Sequence, residues 1–322
     1  MDLYPLKFKP ILHEKVWGGN KLQKLLNKQA PAAKKIGESW ELSSVAGYQS
    51  EVSNGFLAGN TIEDLVEVYM DELVGEQIYQ TFGVEFPLLV KFLYSNDILS
   101  LQVHPNDELA KERHHAYGKS EMWYILDAEP DAEIIIGFNR DTTPQEFTRR
   151  LNNKTLHEIT NIEKVAPGEA YYLPAGAIHA MGKGVVAVEI QQTSDITYRI
   201  HDWGRKGRDL HLDLAADAIS YKALTSYKRN AGVVPNVPRS LFTTPYFTVN
   251  QLSITRAVQR SYDHDSFVVY SCTKGSAIIK YANGTQSETL NMGETMLIPA
   301  TLRELTIEPQ GNLTLLEAYI EL

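Results

Sequence analysis

The stretch Gly168-Glu-Ala-Tyr-Tyr-Leu-Pro174-Ala-Gly176-Ala-Ile-His179 decides how the rest of the chain is read. Gly168 turns the backbone, because glycine enters left-handed conformations without a Cβ clash. Ala170–Leu173 is a short apolar and aromatic run of strand type, and Pro174 and Gly176 end it in a turn. His179 then heads the next strand, which carries an imidazole to the mouth of a β framework.

Outward from this stretch the same grammar repeats. Turn residues separate the apolar runs Phe86–Leu93, Met122–Leu126, Glu133–Phe138, Val185–Ile190, Phe267–Ser271, Ala277–Tyr281, Thr295–Ile298 and Asn312–Tyr319. Short runs between Gly, Pro and Asn turns predict a sandwich or barrel. Helical patterns are fewer: one after Thr61, which reads as a cap before IEDLVEVYMDEL, one over about 143–151, and one over about 210–221. A helix-like stretch also follows Asn106, and it places His114 and His115 among charges, where exposed residues are expected. The proline-bearing segment 221–241 has no clear period and reads as a linker. Beyond it, Gly293-Glu-Thr-Met-Leu-Ile-Pro299-Ala matches Gly168-Glu-Ala-Tyr-Tyr-Leu-Pro174-Ala, which suggests that one barrel unit occurs twice.

Composition bounds the chemistry. The 322 residues hold 31 Lys+Arg against 40 Asp+Glu, a net charge of −9, and no basic block, which excludes a nucleic-acid binder that works by neutralising phosphates. A single cysteine, Cys272, excludes an internal disulfide and a Cys-rich metal site, so any metal must be held by His, carboxylate or amide. Cys272 itself reads as a small core residue. No apolar stretch has signal-peptide length and none approaches ~18 residues, so no membrane partner is expected and the reading is cytosolic.

Read as Gly-x5-Pro-x-Gly-x2-His, residues 168–179 resemble the second signature motif of the cupin superfamily at each defined position. The fold expected is therefore mainly β: two cupin-type barrels of the double-stranded β-helix or jelly-roll kind, with a few added α-helices. The division expected is a catalytic cupin domain over 1–232 and a C-terminal cupin-like barrel over 233–322. Such a metal site takes two upstream ligands at i and i+2, which share one face of a strand, and a carboxylate soon after. Leu101-Gln102-Val103-His104 and Gly118-Lys-Ser-Glu121 supply them, so the candidate ligands are Gln102, His104, Glu121 and His179. Zn²⁺ suits this N/O set, and Fe²⁺ or Mn²⁺ would fit as well. Glu304 stands where the second unit would carry its histidine, and that barrel is expected to be metal-free.

Five segments in order resemble type I mannose-6-phosphate isomerases: Pro87-Leu-Leu-Val-Lys91-Phe-Leu, Leu99-Ser-Leu-Gln-Val-His-Pro-Asn-Asp107, Gly118-Lys-Ser-Glu-Met-Trp-Tyr124, Leu173-Pro-Ala-Gly-Ala-Ile-His-Ala180, and Glu189 through Trp203. Trp17-Gly-Gly19 and Gly37-Glu-Ser-Trp-Glu-Leu-Ser43 resemble that family's opening, and the length matches its short bacterial form. The resemblance implies that Gln102, His104, Glu121 and His179 are zinc ligands, that Arg199 is an active-site arginine, and that Lys91, Lys119 and Glu189 line the pocket. Asp195 matches another recurring position.

The implied reaction interconverts mannose 6-phosphate and fructose 6-phosphate through an enediol. A metal at an open coordination position stabilises the developing oxyanion. Glu189 is the first candidate for general base, since a carboxylate in the apolar run Val185-Val-Ala-Val-Glu-Ile190 is expected to have a raised pKa; a metal-bound water or Lys119 stands behind it, and an alternative role for Glu189 is to orient a ligand histidine. Lys91, Lys119 and Arg199 are the candidates for binding a dianionic sugar phosphate on an acidic protein. The basic turn Arg205-Lys-Gly-Arg208 reads as a solvated loop. Two other readings compete: a cupin metalloenzyme of another chemistry, such as an Fe²⁺ oxygenase, and a non-catalytic sugar-phosphate-binding cupin.

Overall fold

The computed structural model describes residues 2–31 and 33–322. Along the chain run β1 (Leu6–Lys7), β2 (Ile11–Gly19), β3 (Ile36–Leu42), β4 (Leu88–Ser95), β5 (Leu101–Val103), β6 (Glu121–Ala128), β7 (Glu133–Phe138), β8 (Thr160–Lys164), β9 (Glu169–Leu173), β10 (His179–Met181), β11 (Val185–Gln192), β12 (Tyr198–His201) and β13 (Lys228–Asn230). Then come β14 (Arg239–Thr243), β15 (Thr248–Ile254), β16 (Val258–Ser261), β17 (Val268–Lys274), β18 (Ser276–Tyr281), β19 (Gln286–Asn291), β20 (Thr295–Ile298), β21 (Glu304–Pro309) and β22 (Leu313–Tyr319). The helices are α1 (Lys21–Leu26), α2 (Ile62–Val74), α3 (Glu76–Phe82), α4 (Asp107–His114), α5 (Pro144–Asn152) and α6 (Leu212–Ala218).

The strands make two barrels, each of two sheets. In the first, the sheet β13-β9-β6-β11-β4-β3-β2 faces β12-β5-β10-β7-β8 across an apolar filling that includes Leu93, Ile125, Ile134, Ile136, Met181 and Ala187. In the second, β1-β20-β17-β22-β15-β14 faces β16-β21-β18-β19 around Leu252, Val268, Cys272, Ile279 and Ile307. β1 comes first in the chain yet pairs with β20, Leu6 opposite Leu297, so the N-terminal end completes the second barrel.

The two large sheets pack back to back. Along β11, VVAVEIQQ, every residue is buried, because successive side chains leave a strand on opposite faces and both faces are covered. Val186, Val188 and Ile190 pack toward Val269, Leu316 and Ala318 of the second barrel, and the Phe86 and Phe267 rings lie 4.5 Å apart in the same layer. Val185, Ala187 and Glu189 are left to face into the first barrel. α5 and α6 cover the outer face of the smaller sheet through Phe147 and Ala215, which pack with Leu101, Val103 and Tyr198.

Local signals shaped several of these elements. Thr61 caps α2 in a full capping box with Asp64, satisfying two helix-end donors at once. Thr143 caps α5, with proline in the first turn. The segment 221–241 is less free than its composition suggests, since β13 lies inside it and pairs with β9. The repeat of Gly168–Ala175 at Gly293–Ala300 is structural. Gly168 (φ 90°) and Gly293 (φ 84°) both occupy left-handed backbone, and Glu169 and Glu294 each accept a hydrogen bond from the backbone N–H three residues upstream, at 3.0 and 2.8 Å. Each turn then leads into a strand paired with a matching neighbour, β9 with β6 and β20 with β17. No helix among the described residues is long and apolar enough to cross a membrane.

Candidate active site

Two cross-strand rows on facing sheets build the site. On the larger sheet Lys91, Glu189 and Trp123 lie side by side on β4, β11 and β6, one layer above the apolar row Leu93, Ala187 and Ile125. On the smaller sheet Arg199, Gln102 and His179 lie side by side on β12, β5 and β10. His104 follows β5 directly. Glu121 is brought beside it because Gly118 runs against the backbone of Asn106 and Asp107, where a Cβ would come within 2.6 Å of both. Gly176 turns at φ 88° ahead of β10 and delivers His179 to the same point.

There His104, Glu121 and His179 meet, fully buried, with their nearest donor atoms all within 4.8 Å of one another. His104 Nδ1 lies 2.8 Å from the Ile196 carbonyl oxygen and His179 Nδ1 lies 2.9 Å from that of Ala177. A carbonyl only accepts, so each Nδ1 carries the proton and each Nε2 presents a lone pair inward. Burial holds both imidazoles below their ordinary pKa, His179 at about 4, and they are neutral. Glu121 Oε1 is 3.3 Å from His179 Nε2, Oε2 is 3.5 Å from His104 Nε2, and the buried Oε1 has no hydrogen-bond partner. Two ligands at about 2.1 Å from one tetrahedral ion are about 3.4 Å apart, so these residues fit a divalent metal. Gln102 joins the group through Nε2, 3.2 Å from His179 Nε2, rather than through its carbonyl oxygen; a turn of the amide would present the oxygen.

Lys119 reaches into the group. Its Nζ donates to Glu121, lies 3.2 Å from His104 Nε2 and is 3.9 Å from Glu189. Lys91 donates to Glu189 Oε1 and to Gln191 Oε1, both at 2.8 Å, and Trp123 Nε1 donates to Glu189 Oε2 at 2.8 Å. Here the structure reverses one expectation. Burial alone would raise the Glu189 pKa, but Lys91 and Lys119 outweigh it and hold the carboxyl well below the ordinary range. Glu121, by contrast, is pushed up by burial and by the Glu189 charge. Lys91 stays protonated: burial opposes its charge and Glu189 and Glu38 more than restore it.

Lys91, Gln102, Lys119, Glu189, Asp195 and Arg199 all line one cavity of about 380 Å³. Arg199 Nη1 donates to the Asp209 carbonyl at 2.7 Å, and burial together with the Arg208 charge lowers its pKa from the ordinary arginine value. The turn Arg205–Arg208 is not a solvated loop: both arginines donate to buried Asp202, and Arg208 lines the cavity. The remaining histidines stay apart from this group. His114 is exposed and pairs with the Tyr198 hydroxyl at 2.7 Å, while His201 turns away and packs on Trp203. In the second barrel Glu304 is exposed at the head of β21.

Sequence reasoning missed the wall contributed by β2 and β3. His13, Lys15, Trp17, Glu38, Trp40 and Tyr48 line the same cavity, the Trp40 ring packing 4.5 Å from His13 and 5.4 Å from Tyr48. A signal existed in the glycines of Trp17-Gly-Gly19 and Gly37-Glu-Ser-Trp40. A Cβ on Gly18 would come within 2.6 Å of the Gly37 backbone, and one on Gly37 within 2.6 Å of the Trp17 ring, so both mark strands that must approach closely.

Residues 5–163 match the family model described as phosphomannose isomerase type I, catalytic domain, and residues 239–318 match the mannose-6-phosphate isomerase cupin domain. The chain is 36% identical to a probable mannose-6-phosphate isomerase of Bacillus subtilis (strain 168) over 95% of its own length and 96% of the relative's. It is 31% identical to a mannose-6-phosphate isomerase of Streptococcus mutans, with 98% of each chain covered. The crystal structure of a mannose 6-phosphate isomerase from Bacillus subtilis superposes with a TM-score of 0.87 at 29% identity, covering 99% of this chain and 100% of that one.

Proposed function

The chain belongs to the type I phosphomannose isomerases, and from that membership we propose that it interconverts mannose 6-phosphate and fructose 6-phosphate in the cavity of the first barrel. The observation that carries this reading is the buried His104–Glu121–His179 group lying against the cavity that Lys91, Lys119 and Arg199 line: Gln102 and Lys119 line that cavity and also contact the group, which joins a metal-binding donor set to cations suited to an anionic sugar. We assign the chemistry to the first barrel, within residues 1–232, and no ligand to the second, which residues 233–322 form together with β1 from the start of the chain.

His104, Glu121 and His179, joined by the Gln102 amide oxygen, are the residues that would hold the ion, and Zn²⁺ suits two imidazoles, a carboxylate and an amide. When bound, such an ion polarises the sugar carbonyl and stabilises the oxyanion that forms as the proton leaves carbon. Each ~1.4 kcal/mol of that stabilisation is about tenfold in rate.

The chain's own side chains do the rest. Glu189 has one oxygen taken by Lys91 and the other by Trp123, and its lowered pKa makes it a weak base, so we assign it the role of the anion that fixes the two lysines. Lys119 Nζ enters the cavity between the ligand group and Glu189 and, as an ammonium, is the group we assign to hydrogen-bond the sugar oxygens where the enediolate charge develops. Arg199 offers a planar fork to the sugar phosphate. We place the protein in the cytosol, a compartment that suits a chain with one cysteine and no disulfide partner for it.

The test is to remove divalent metal with a chelator and assay interconversion of the two sugar phosphates. Activity should vanish and return on adding back Zn²⁺, with Fe²⁺ and Mn²⁺ compared in parallel. Turnover by demonstrably metal-free protein would overturn the reading.

A further inference from the structure

We infer that Arg208 is a second phosphate-binding arginine, and that the loop 202–211 is a clasp that presents it beside Arg199 to the phosphate ester of the substrate. This deepens the sugar-phosphate reading of the cavity and rests on it.

The loop is tied down at several points. Asp202 is buried, and its Oδ1 accepts from Arg205 Nη1 and from Arg208 Nη1, each at 2.9 Å. Arg205 also donates to the Ile98 carbonyl, and Trp203 Nε1 donates to that of Leu99 at 2.6 Å. At the far end the Arg199 N–H donates to His211 Nδ1 at 3.0 Å, the His211 N–H donates to the Arg199 carbonyl at 2.8 Å, and Asp209 accepts from the Arg199 guanidinium. Gly204 (φ 82°) and Gly207 (φ 79°) allow the tight path. The chain thus leaves the barrel after β12 and folds back over Arg199.

Only some of the basic residues of this loop point usefully. Arg208 lines the cavity with Arg199, whereas Arg205 and Lys206 do not. The charge inventory of the cavity explains why this matters. Lys15 is 3.0 Å from Glu38, Lys91 is 2.8 Å from Glu189, and Lys119 is shared between Glu121 and Glu189. Each ammonium therefore already has a carboxylate. Arg199 has a carbonyl as its side-chain acceptor and a buried Nε with no partner, and Arg208 shares its one carboxylate with Arg205. At this end of the cavity Asp195, Asp202 and Asp209 offset part of the positive charge, but the guanidinium N–H groups outnumber their acceptors. Two planar forks with free N–H groups match the three oxygens of a phosphate monoester, whose two negative charges relieve the repulsion between the guanidiniums.

The test compares Arg208→Gln, Arg208→Lys and Arg205→Gln in the full-length, metal-loaded protein. Two readouts are taken: steady-state kinetics on mannose 6-phosphate, and binding of inorganic phosphate followed by fluorescence of Trp17 and Trp40, which line the cavity. Arg208→Gln should raise KM by roughly tenfold or more while kcat changes far less, and should weaken inorganic phosphate by a similar factor, the size expected for losing hydrogen bonds to a charged group. Arg208→Lys, which keeps the charge without the fork and preserves the fold, should lie between. Arg205→Gln, which loosens the clasp but leaves both cavity arginines in place, should weaken phosphate by clearly less than Arg208→Gln does. The inference falls if Arg208→Gln binds phosphate like wild type, if Arg208→Lys is indistinguishable from wild type, or if Arg205→Gln loses as much as Arg208→Gln. A wild-type protein that binds inorganic phosphate through Arg208 but does not turn over mannose 6-phosphate would instead refute the proposed function and leave this inference standing.

Discussion

Lys91 and Glu189 are cross-strand partners on β4 and β11, and the Lys91 ammonium lies 2.8 Å from the Glu189 carboxylate inside the barrel, where both side chains are buried. Trp123 closes the other carboxylate oxygen from β6, and Trp40 puts its ring 4.9 Å from the Lys91 nitrogen. A buried pair of this kind sets the charge of the cavity floor before any substrate arrives.

Breaking that pair from one side leaves a charge in the barrel without its partner, which costs about 3–5 kcal/mol. Glu189→Gln and Lys91→Met should each destabilise the protein by this order in denaturant unfolding. The double variant should cost clearly less than the two singles added, because neither charge is left alone. Additive losses would show that the two groups do not depend on each other.

The two histidines are held in the metal-binding tautomer by backbone carbonyls, and no other imidazole of the described residues joins them with a carboxylate. His104→Ala and His179→Ala should therefore purify without divalent metal, as measured by elemental analysis, and should lack isomerase activity. A variant that retained a full equivalent of metal would remove that histidine from the ligand set.

Arg199 sits in register with Gln102 on the neighbouring strand and lines the cavity. Arg199→Ala should lower kcat/KM by about 100-fold, the scale expected for losing charge-assisted hydrogen bonds to the substrate's phosphate. Arg199→Lys should recover only part of this, since an ammonium does not reproduce the fork. Full recovery in steady-state kinetics would assign Arg199 a point-charge role.

Gly118→Ala should be more damaging than its size suggests. Its Cβ would meet the Asn106 and Asp107 backbone at 2.6 Å and push Lys119 and Glu121 away from His104. The expected outcome is a lower Tm together with weaker metal retention, read by thermal unfolding and elemental analysis. A fold and metal content equal to wild type would mean that the two segments can separate freely.

Lys28 joins the two barrels. It is buried, lies 2.6 Å from Glu41 and donates to the Gly293 carbonyl of the second barrel at 2.6 Å. Lys28→Ala should cost about 3 kcal/mol, because Glu41 is then buried alone. Unfolding curves would register a surface-like loss below about 0.5 kcal/mol if the contact contributed little.

The sequence by itself determined the β framework, the turn–strand–turn that presents His179 and the repeated unit at Gly293, and it pointed to Gln102, His104 and Glu121 as the residues placed beside that histidine. These are local matters: a glycine's left-handed φ, a proline's missing N–H and the alternation of side chains along a strand are set by adjacent backbone, so they can be read from a short window. The tertiary structure alone decided the ionisation of Glu189, the entry of Trp40 and His13 into the cavity wall, and the place of Arg208. Glu189 in an apolar run reads as a carboxylate with a raised pKa, but Lys91, 98 residues away, and Trp123, 66 residues away, arrive on its two oxygens and reverse the sign. Charge in a buried site depends on distances of a few ångströms between groups remote in the chain, and only the closure of the barrel fixes those distances.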